Sequence, residues 1–317
     1  MNNYFSIFRP LLFVLLTATM SCESDFDLPE CDEQKATIMI VPDIQNYTNN
    51  VNNFKYMAAI VDYYKVNQDK IDAVFQVGDL TYDNELWQYE NAYNYFIRFF
   101  NESDQMSYCL GNHDYGSGGY SDSRTSNIQD YMMPYYDFKM EGSTYENYVR
   151  YVNLGGKIFG VLVLEFCTRD EALSWADEII GAEPSLPFII LMHVFLNDYG
   201  EMFDYTNHNM NNGGSHKDYW MGGEYKNDSK EIFDKLIFNN PNVKLLVCGH
   251  CLTTNYIEVL TCTNIDGKDV NMVMVNYQHY KEGGEGMVGI LDIAGDSYRI
   301  RSFSSYKKEF TGIDISF

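Results

Sequence analysis

Basic residues are scarce in this chain. Its 317 residues hold 22 Lys and Arg against 45 Asp and Glu, a formal charge of -23 at neutral pH. That field repels phosphate backbones at long range and argues against a nucleic-acid scaffold. A pocket with its own cation still admits an anionic substrate, because the ion dominates its surroundings. Cysteines number seven and follow no regular framework spacing, and a domain of this size needs no disulfides. Cys248 and Cys251 spell C-x-x-C, open to redox chemistry or half a zinc site, but no second C-x-x-C accompanies them. Internal repeats and low-complexity linkers are missing too, so nothing marks a second domain. With 45% hydrophobic residues the chain can bury a large core, which rules out a disordered or fibrous protein.

The first residues read as an address rather than as fold. Arg9 precedes the apolar run Leu11 to Leu16, which is too short to span a bilayer, and small residues Thr17, Ala18, Thr19 and Ser21 lead to Cys22. Residues 1–21 are therefore expected to be a signal peptide. The cysteine after small residues resembles a bacterial lipoprotein signal, with a lipidated Cys22 as mature N-terminus and plain secretion as the alternative. Residues 22–35 are expected to be an acidic tether, similar to the export signal of surface lipoproteins in Bacteroidetes-type bacteria. The expected location is the outer membrane or cell surface, or else the periplasm or medium, with membrane contact through the lipid alone. Residues 36–317 then form one domain.

Five blocks of that domain share one design, a short β-branched apolar run that stops at polar, ligand-type residues. Ile38 to Val41 runs into Pro42-Asp43-Ile44-Gln45, and Ala73 to Val77 into Gly78-Asp79. Tyr108 to Leu110 leads to Gly111-Asn112-His113-Asp114, Phe188 to Met192 to His193, and Val243 to Val247 to Gly249-His250. Polar groups at the carboxyl ends of buried strands are where open α/β sheets place ligands. Helical stretches separate them: 54–66, 86–100, 169–180 and 229–238. Stretches 144–166 and 255–304 alternate in the manner of hairpins, with turns at Gly155-Gly156, Asp266-Gly267 and Gly295-Asp296. Residues 117–126 and 207–223 read as long loops rich in Gly, Ser and Asn.

Taken singly, these polar residues are weak signals. Their order is specific: Asp43, Gly78-Asp79, Gly111-Asn112-His113-Asp114, His193, Gly249-His250. The chain resembles the calcineurin-like metallophosphoesterases, whose pattern is D-x-H, G-D, G-N-H-[DE], H and G-H-x-H. Pro42-Asp43-Ile44-Gln45, Leu164-Glu165-Phe166 with Arg169-Asp170-Glu171 and Trp175-Ala176, and Asn276-Tyr277-Gln278 further resemble a bacterial subset with a P-D-T-Q first motif. The resemblance implies an α/β four-layer αββα sandwich, two mixed β-sheets flanked by helices. It implies a pair of divalent cations bridged by Asp79, one of them also held by Asn112, His193 and His250. That nitrogen and oxygen set suits Zn, Mn or Fe. His113 would serve the leaving group, with Asp114 orienting it.

The other cation site departs from the family pattern. D-x-H reads Asp43-Ile44-Gln45 and G-H-x-H reads Gly249-His250-Cys251-Leu252, so both histidines of one metal are replaced. Asp43, Gln45 and Asp79 remain, an all-oxygen set that favours a weaker site for Mg, Mn or Ca. Cys251, as the spacer of the motif, is expected to point away from it. Glu165 is either a buried, hydrogen-bonded carboxylate or, the favoured expectation, a partner for a ligand. Gln278 and Tyr277 either reach the cleft or pack at an edge strand. His208, His216 and His279 are expected to be solvated, and Tyr47, Tyr82, Tyr115, Tyr120 and Tyr199 to form an aromatic rim for a sugar or base.

The expected function is an exported metal-dependent phosphoesterase acting on a small phosphorylated substrate, monoester or diester. The alternative is a lipoprotein on the same fold that binds a ligand or glycan without turnover. A thiol redox protein built on Cys248 and Cys251 is the third and weakest option.

Overall fold

The computed structural model describes residues 35–101, 105–143, 145–206 and 214–317. The expected signal peptide, Cys22, Cys31, most of the tether and His208 lie outside them. Strand β1 (Lys35–Val41) begins on the last residue expected in the tether. It continues with β2 (Ala73–Gln76), β3 (Met106–Tyr108), β4 (Phe138–Lys139), β5 (Tyr148–Leu154), β6 (Lys157–Val163) and β7 (Phe188–Leu191). Strands β8 (Val243–Cys248), β9 (Ile257–Thr263), β10 (Asp269–Val275), β11 (Met287–Ala294), β12 (Ser297–Ser304) and β13 (Glu309–Ser316) complete the set.

Two mixed sheets result. One runs β13-β12-β11-β1-β2-β3, the other β4-β5-β6-β7-β8-β10-β9. Strands β1, β2 and β3 pair in parallel, as do β6, β7, β8 and β10, while the hairpin strands add antiparallel neighbours. The central strands are apolar throughout because both of their faces are covered. In β1, Ile38 and Ile40 pack between the sheets with Phe75, Val161, Ile189, Leu191 and Val247. Met39 and Val41 turn the other way, into a cluster with Tyr56, Met57, Ile60 and Tyr64 of the helix Phe54–Asn67. At about 25 cal/mol per Å² of apolar surface, these two clusters supply the main drive for folding.

Helices Phe54–Asn67 and Asp170–Ala182 fall where the sequence periodicity puts them. The stretches 86–101 and 229–237 are helical with a π turn in each, at Tyr93–Ile97 and Phe233–Ile237, which apolar spacing does not reveal. The two long loops are joined: Met221 and Gly222 donate backbone N–H groups to the carbonyls of Ser121 and Asp122. Among the described residues no helix is long and apolar enough to cross a membrane.

Candidate metal centre and active site

The polar residues that end β1, β2, β3, β7 and β8 meet at one edge of the sandwich. After β2, Gly78 adopts φ +102° and Asp79 φ +53°, a left-handed turn that swings the Asp79 carboxylate into the space between the sheets. A side chain at Gly78 would sit 2.5 Å from His193 Nδ1, and one at Gly111 would sit 2.2 Å from Asp79 Oδ1. Both glycines are there so that these backbones can approach the ligands.

Four donor atoms converge. His193 Nε2 lies 3.1 Å from Asn112 Oδ1, 3.1 Å from His250 Nδ1 and 3.4 Å from Asp79 Oδ1. Ligand atoms each about 2.0–2.2 Å from a tetrahedral metal stand roughly 3.3–3.5 Å apart, so this cluster has the size of a coordination shell. The two rings are turned for the purpose. His193 donates Nδ1–H to the Val77 carbonyl at 2.6 Å, which leaves Nε2 to face the cluster. His250 has Nε2 at 3.3 Å from the Tyr219 hydroxyl, which leaves Nδ1 inward. Tyr219 was not anticipated, since only tertiary folding carries it to the site.

A second group of donors is all oxygen. Asp79 Oδ2 accepts from Gln45 Nε2 at 3.1 Å, and Asp79 Oδ1 accepts from the His113 backbone N–H at 2.9 Å. Asp43 Oδ2 accepts from Asn276 Nδ2 at 2.9 Å, and the same amide nitrogen reaches the His250 carbonyl at 2.9 Å. Asn276, rather than Gln278 or Tyr277, is therefore the member of its motif that organises the ligands. Asp43 Oδ1 and Gln45 Oε1 are buried and have no hydrogen-bond partner, an arrangement that costs free energy unless a cation meets them.

The charges agree with this picture. Burial, reinforced by Asp79, pushes the Asp43 carboxyl up to about 7 against the pull of His193. Burial would raise Asp79 as well, but the His193 and His113 imidazoles hold it below the usual carboxylate range. His193 is raised to about 9, because Asp79 outweighs the effect of burial, so the ring favours a proton that a bound cation would displace. His250 is driven down to about 3 by burial and by His193.

The cluster opens into a cavity of about 320 Å³ lined by Gln45, Asp79, Asn112, His113, Asp198, Gly214, Tyr219, His250, Cys251, Leu252 and Gln278. His113 donates Nδ1–H to the Tyr82 carbonyl at 2.7 Å, with the Tyr82 ring centroid 5.2 Å from its own.

Several expectations are corrected. Asp114 does not orient His113: its carboxylate accepts from the N–H groups of Leu80, Thr81 and Gly111, tying the Asp79 turn to the Asn112 turn. Glu165 touches no ligand, since its oxygens take Arg169 and Asn147 with Arg124 at 3.6 Å. Tyr277 turns away from the cleft and bonds Ser302, whereas Gln278 lines the cavity. Cys251 lines it too, because residues 249–252 follow the strand as an irregular turn around His250 at φ +71°. His216 is buried, donates Nε2–H to the Val194 carbonyl and is pushed down to about 4 by that burial, while His279 is exposed. Tyr47 and Tyr115 belong to the core, which leaves Tyr82, Tyr120 and Tyr199 as exposed rings. Cys248 and Cys251 are free thiols, and burial raises both.

Residues 36–252 match the family model of the calcineurin-like phosphoesterases. The chain belongs to that family. These enzymes are metal-dependent hydrolases of phosphoric esters, and the candidate cluster of Asp79, His193 and His250 lies within the matched region. The chain is 22% identical over 261 residues to the uncharacterized protein YvnB of Bacillus subtilis (strain 168), covering 78% of this chain and 18% of that one. It thus spans about a fifth of the length of that relative. Among solved structures it is similar to GAP50, the anchor in the inner membrane complex of Plasmodium, at TM-score 0.50 and 10% identity over 89% of this chain and 88% of the other. It is also similar to the purple acid phosphatase PPD1 of yellow lupin (Lupinus luteus), at TM-score 0.49 and 13% identity over 89% of this chain and 53% of that one. At such identity the likeness to GAP50 is one of fold.

Proposed function

We propose that this phosphoesterase is exported and hydrolyses a small phosphomonoester or phosphodiester, using one firm cation site and one weaker, all-oxygen site. The observation that carries the reading is the convergence of Asp79, Asn112, His193 and His250 on one point, beside the unpartnered oxygens of Asp43 and Gln45. The first set suits Zn, Mn or Fe and the second Mg, Mn or Ca. When bound, divalent cations would polarise phosphoryl oxygens and lower the pKa of water so that a hydroxide nucleophile is available near neutral pH.

The chain's own residues divide the remaining work. Asp79 faces both sets, Oδ1 toward His193 and Oδ2 toward Gln45, as a bridging carboxylate must. His113 has its Nδ1–H occupied by the Tyr82 carbonyl, so Nε2 is the ring nitrogen left to face the leaving oxygen, and the imidazolium form would hand it the Nε2 proton and return to the neutral Nδ1–H ring. Gln45 and Leu252, where the family has histidines, leave the second site without nitrogen ligands. Export rests on the run Leu11 to Leu16 and on Cys22, which would place the enzyme on a lipid anchor. Palmitate labelling that persists in Cys22→Ala would remove that anchor from the proposal.

The hydrolase reading is tested with nitrophenyl mono- and diesters and with Mn, Mg, Ca, Zn or Fe added back to chelated protein. Turnover is expected in the parent and a loss of at least about 100-fold in Asn112→Ala and His250→Ala. The replacement of both histidines at one site favours a second reading, a protein that binds a phosphorylated or glycan ligand on this fold without turnover. Saturable binding with no turnover in any of the five metals would decide for it.

A further inference from the structure

The cavity around the candidate cation sites takes its charged and titratable side chains from acids and histidines among the described residues. Among the described residues that line it, Asp79 and Asp198 are acidic and none is lysine or arginine. Asp43 lies directly behind, buried, with one oxygen unpartnered. In the neighbouring loops, Arg124 is committed to Glu224, the Phe166 carbonyl and the Cys167 carbonyl, and Lys217 to Asp228 and Glu231. Where a histidine ligand stands in the family pattern, Leu252 presents a neutral, 42% exposed side chain to the cavity. The whole chain carries -23.

Three carboxylates therefore oppose the substrate's charge, and bound cations, with His113 when it carries its second ring proton, favour it. Carboxylates and ions alone sum to a formal -1 with the firm divalent ion bound and to +1 with a second, exchangeable ion, so the selection belongs to the singly loaded site. A phosphomonoester has a second pKa near 6 and is close to a dianion at neutral pH. A phosphodiester has a single ionisable oxygen and stays a monoanion. Every uncompensated carboxylate penalises the dianion for one charge more than the monoanion. A unit charge about 7 Å from another across a partly wet cavity changes an equilibrium by on the order of tenfold. A diester also needs uncharged surface for its second organic arm, and Leu252 and Tyr219 supply such surface within the same cavity.

We infer that this site selects phosphodiester monoanions over phosphomonoester dianions, through a cavity whose described lining is acidic, neutral or histidine and holds no lysine or arginine. The inference rests on the hydrolase reading and narrows it to one substrate class.

The test compares bis(p-nitrophenyl) phosphate with p-nitrophenyl phosphate, which share a leaving group, on the full chain reloaded with one equivalent of metal at pH 7.5. The expected kcat/KM favours the diester by at least about tenfold. Asp198→Asn and Leu252→Lys, which remove a negative charge and add a positive one, should each narrow that ratio by about tenfold. Equal or faster hydrolysis of the monoester by the parent protein overturns the inference and leaves the hydrolase reading standing. So does a ratio that neither substitution moves. If neither ester is hydrolysed with any metal, the hydrolase reading fails. Calorimetry then still decides the charge selection: tighter binding of diphenyl phosphate than of phenyl phosphate supports it, and the reverse order overturns it.

Discussion

Glu165→Gln should be among the most damaging single changes outside the metal cluster. The Glu165 side chain is fully buried. Its Oε1 accepts from Arg169 N at 3.0 Å and Arg169 Nε at 2.9 Å, and its Oε2 accepts from Arg169 Nη2 and Asn147 Nδ2, both at 2.9 Å. Arg124 stands 3.6 Å from Oε2 with 12% of its side chain exposed. An amide keeps the shape but removes the charge and turns N–H groups against arginine donors. Breaking a buried pair in this way costs about 3–5 kcal/mol. Arg169 is 28% exposed and can take water, and Arg124 keeps Glu224, so the lower end, about 3 kcal/mol, is expected. The assay is urea unfolding of chelated parent and variant, followed by tryptophan fluorescence from pH 3.5 to 8. Burial alone would raise the Glu165 carboxyl, but Arg169 and Arg124 hold it below its ordinary 4.5. A depressed carboxylate contributes stability that is complete above that ordinary value and is lost as pH falls through the folded one. The gap between parent and variant should thus be constant from pH 8 to about 5 and shrink in stronger acid. A loss under about 1 kcal/mol, or a gap that acid leaves untouched, would refute the reasoning.

Two further outcomes follow from the cluster. Tyr219→Phe removes the hydroxyl next to His250 Nε2 and should weaken affinity for Zn or Mn by about tenfold in chelator competition, with an unchanged urea midpoint for metal-free protein. Unaltered affinity would mean that the hydroxyl does not hold the ring. Gln45→His combined with Leu252→His should add a second tightly retained transition metal per chain, read by metal analysis after dialysis. A stoichiometry identical to the parent's would count against the placement of the all-oxygen site.

The strand ends were legible because each strand is covered on both faces and reads as one apolar run that stops abruptly at its ligand. The pairing of hairpin strands β5 with β6 and β11 with β12 followed from Gly155-Gly156 and Gly295-Asp296. Strand β13 was not legible, since it is an edge strand with most side chains exposed and lacks a clean apolar run. Side-chain partners were harder still. Asp114 and Tyr82 are both near His113, and only the folded turn decides that the Tyr82 carbonyl, not the carboxylate, receives the ring proton. His216 sits in a polar stretch of sequence and yet stacks on Phe166 with ring centroids 5.7 Å apart, because its loop folds back over β7. Tyr219 and Asn276 reach the ligands from 31 and 26 residues away from His250, distances over which no local pattern exists.

The candidate ligands come from both layers of the sandwich. Asp43, Asp79 and Asn112 follow β1, β2 and β3, whereas His193 and His250 follow β7 and β8 of the facing sheet. An ion gripped by all of them would rivet the two layers at one end, and neither could peel from the other without releasing it. Free metal at 100 times its dissociation constant would then add about 2.7 kcal/mol to the cost of opening the whole laminate. Scarcity of metal would loosen the architecture as well as silence the chemistry.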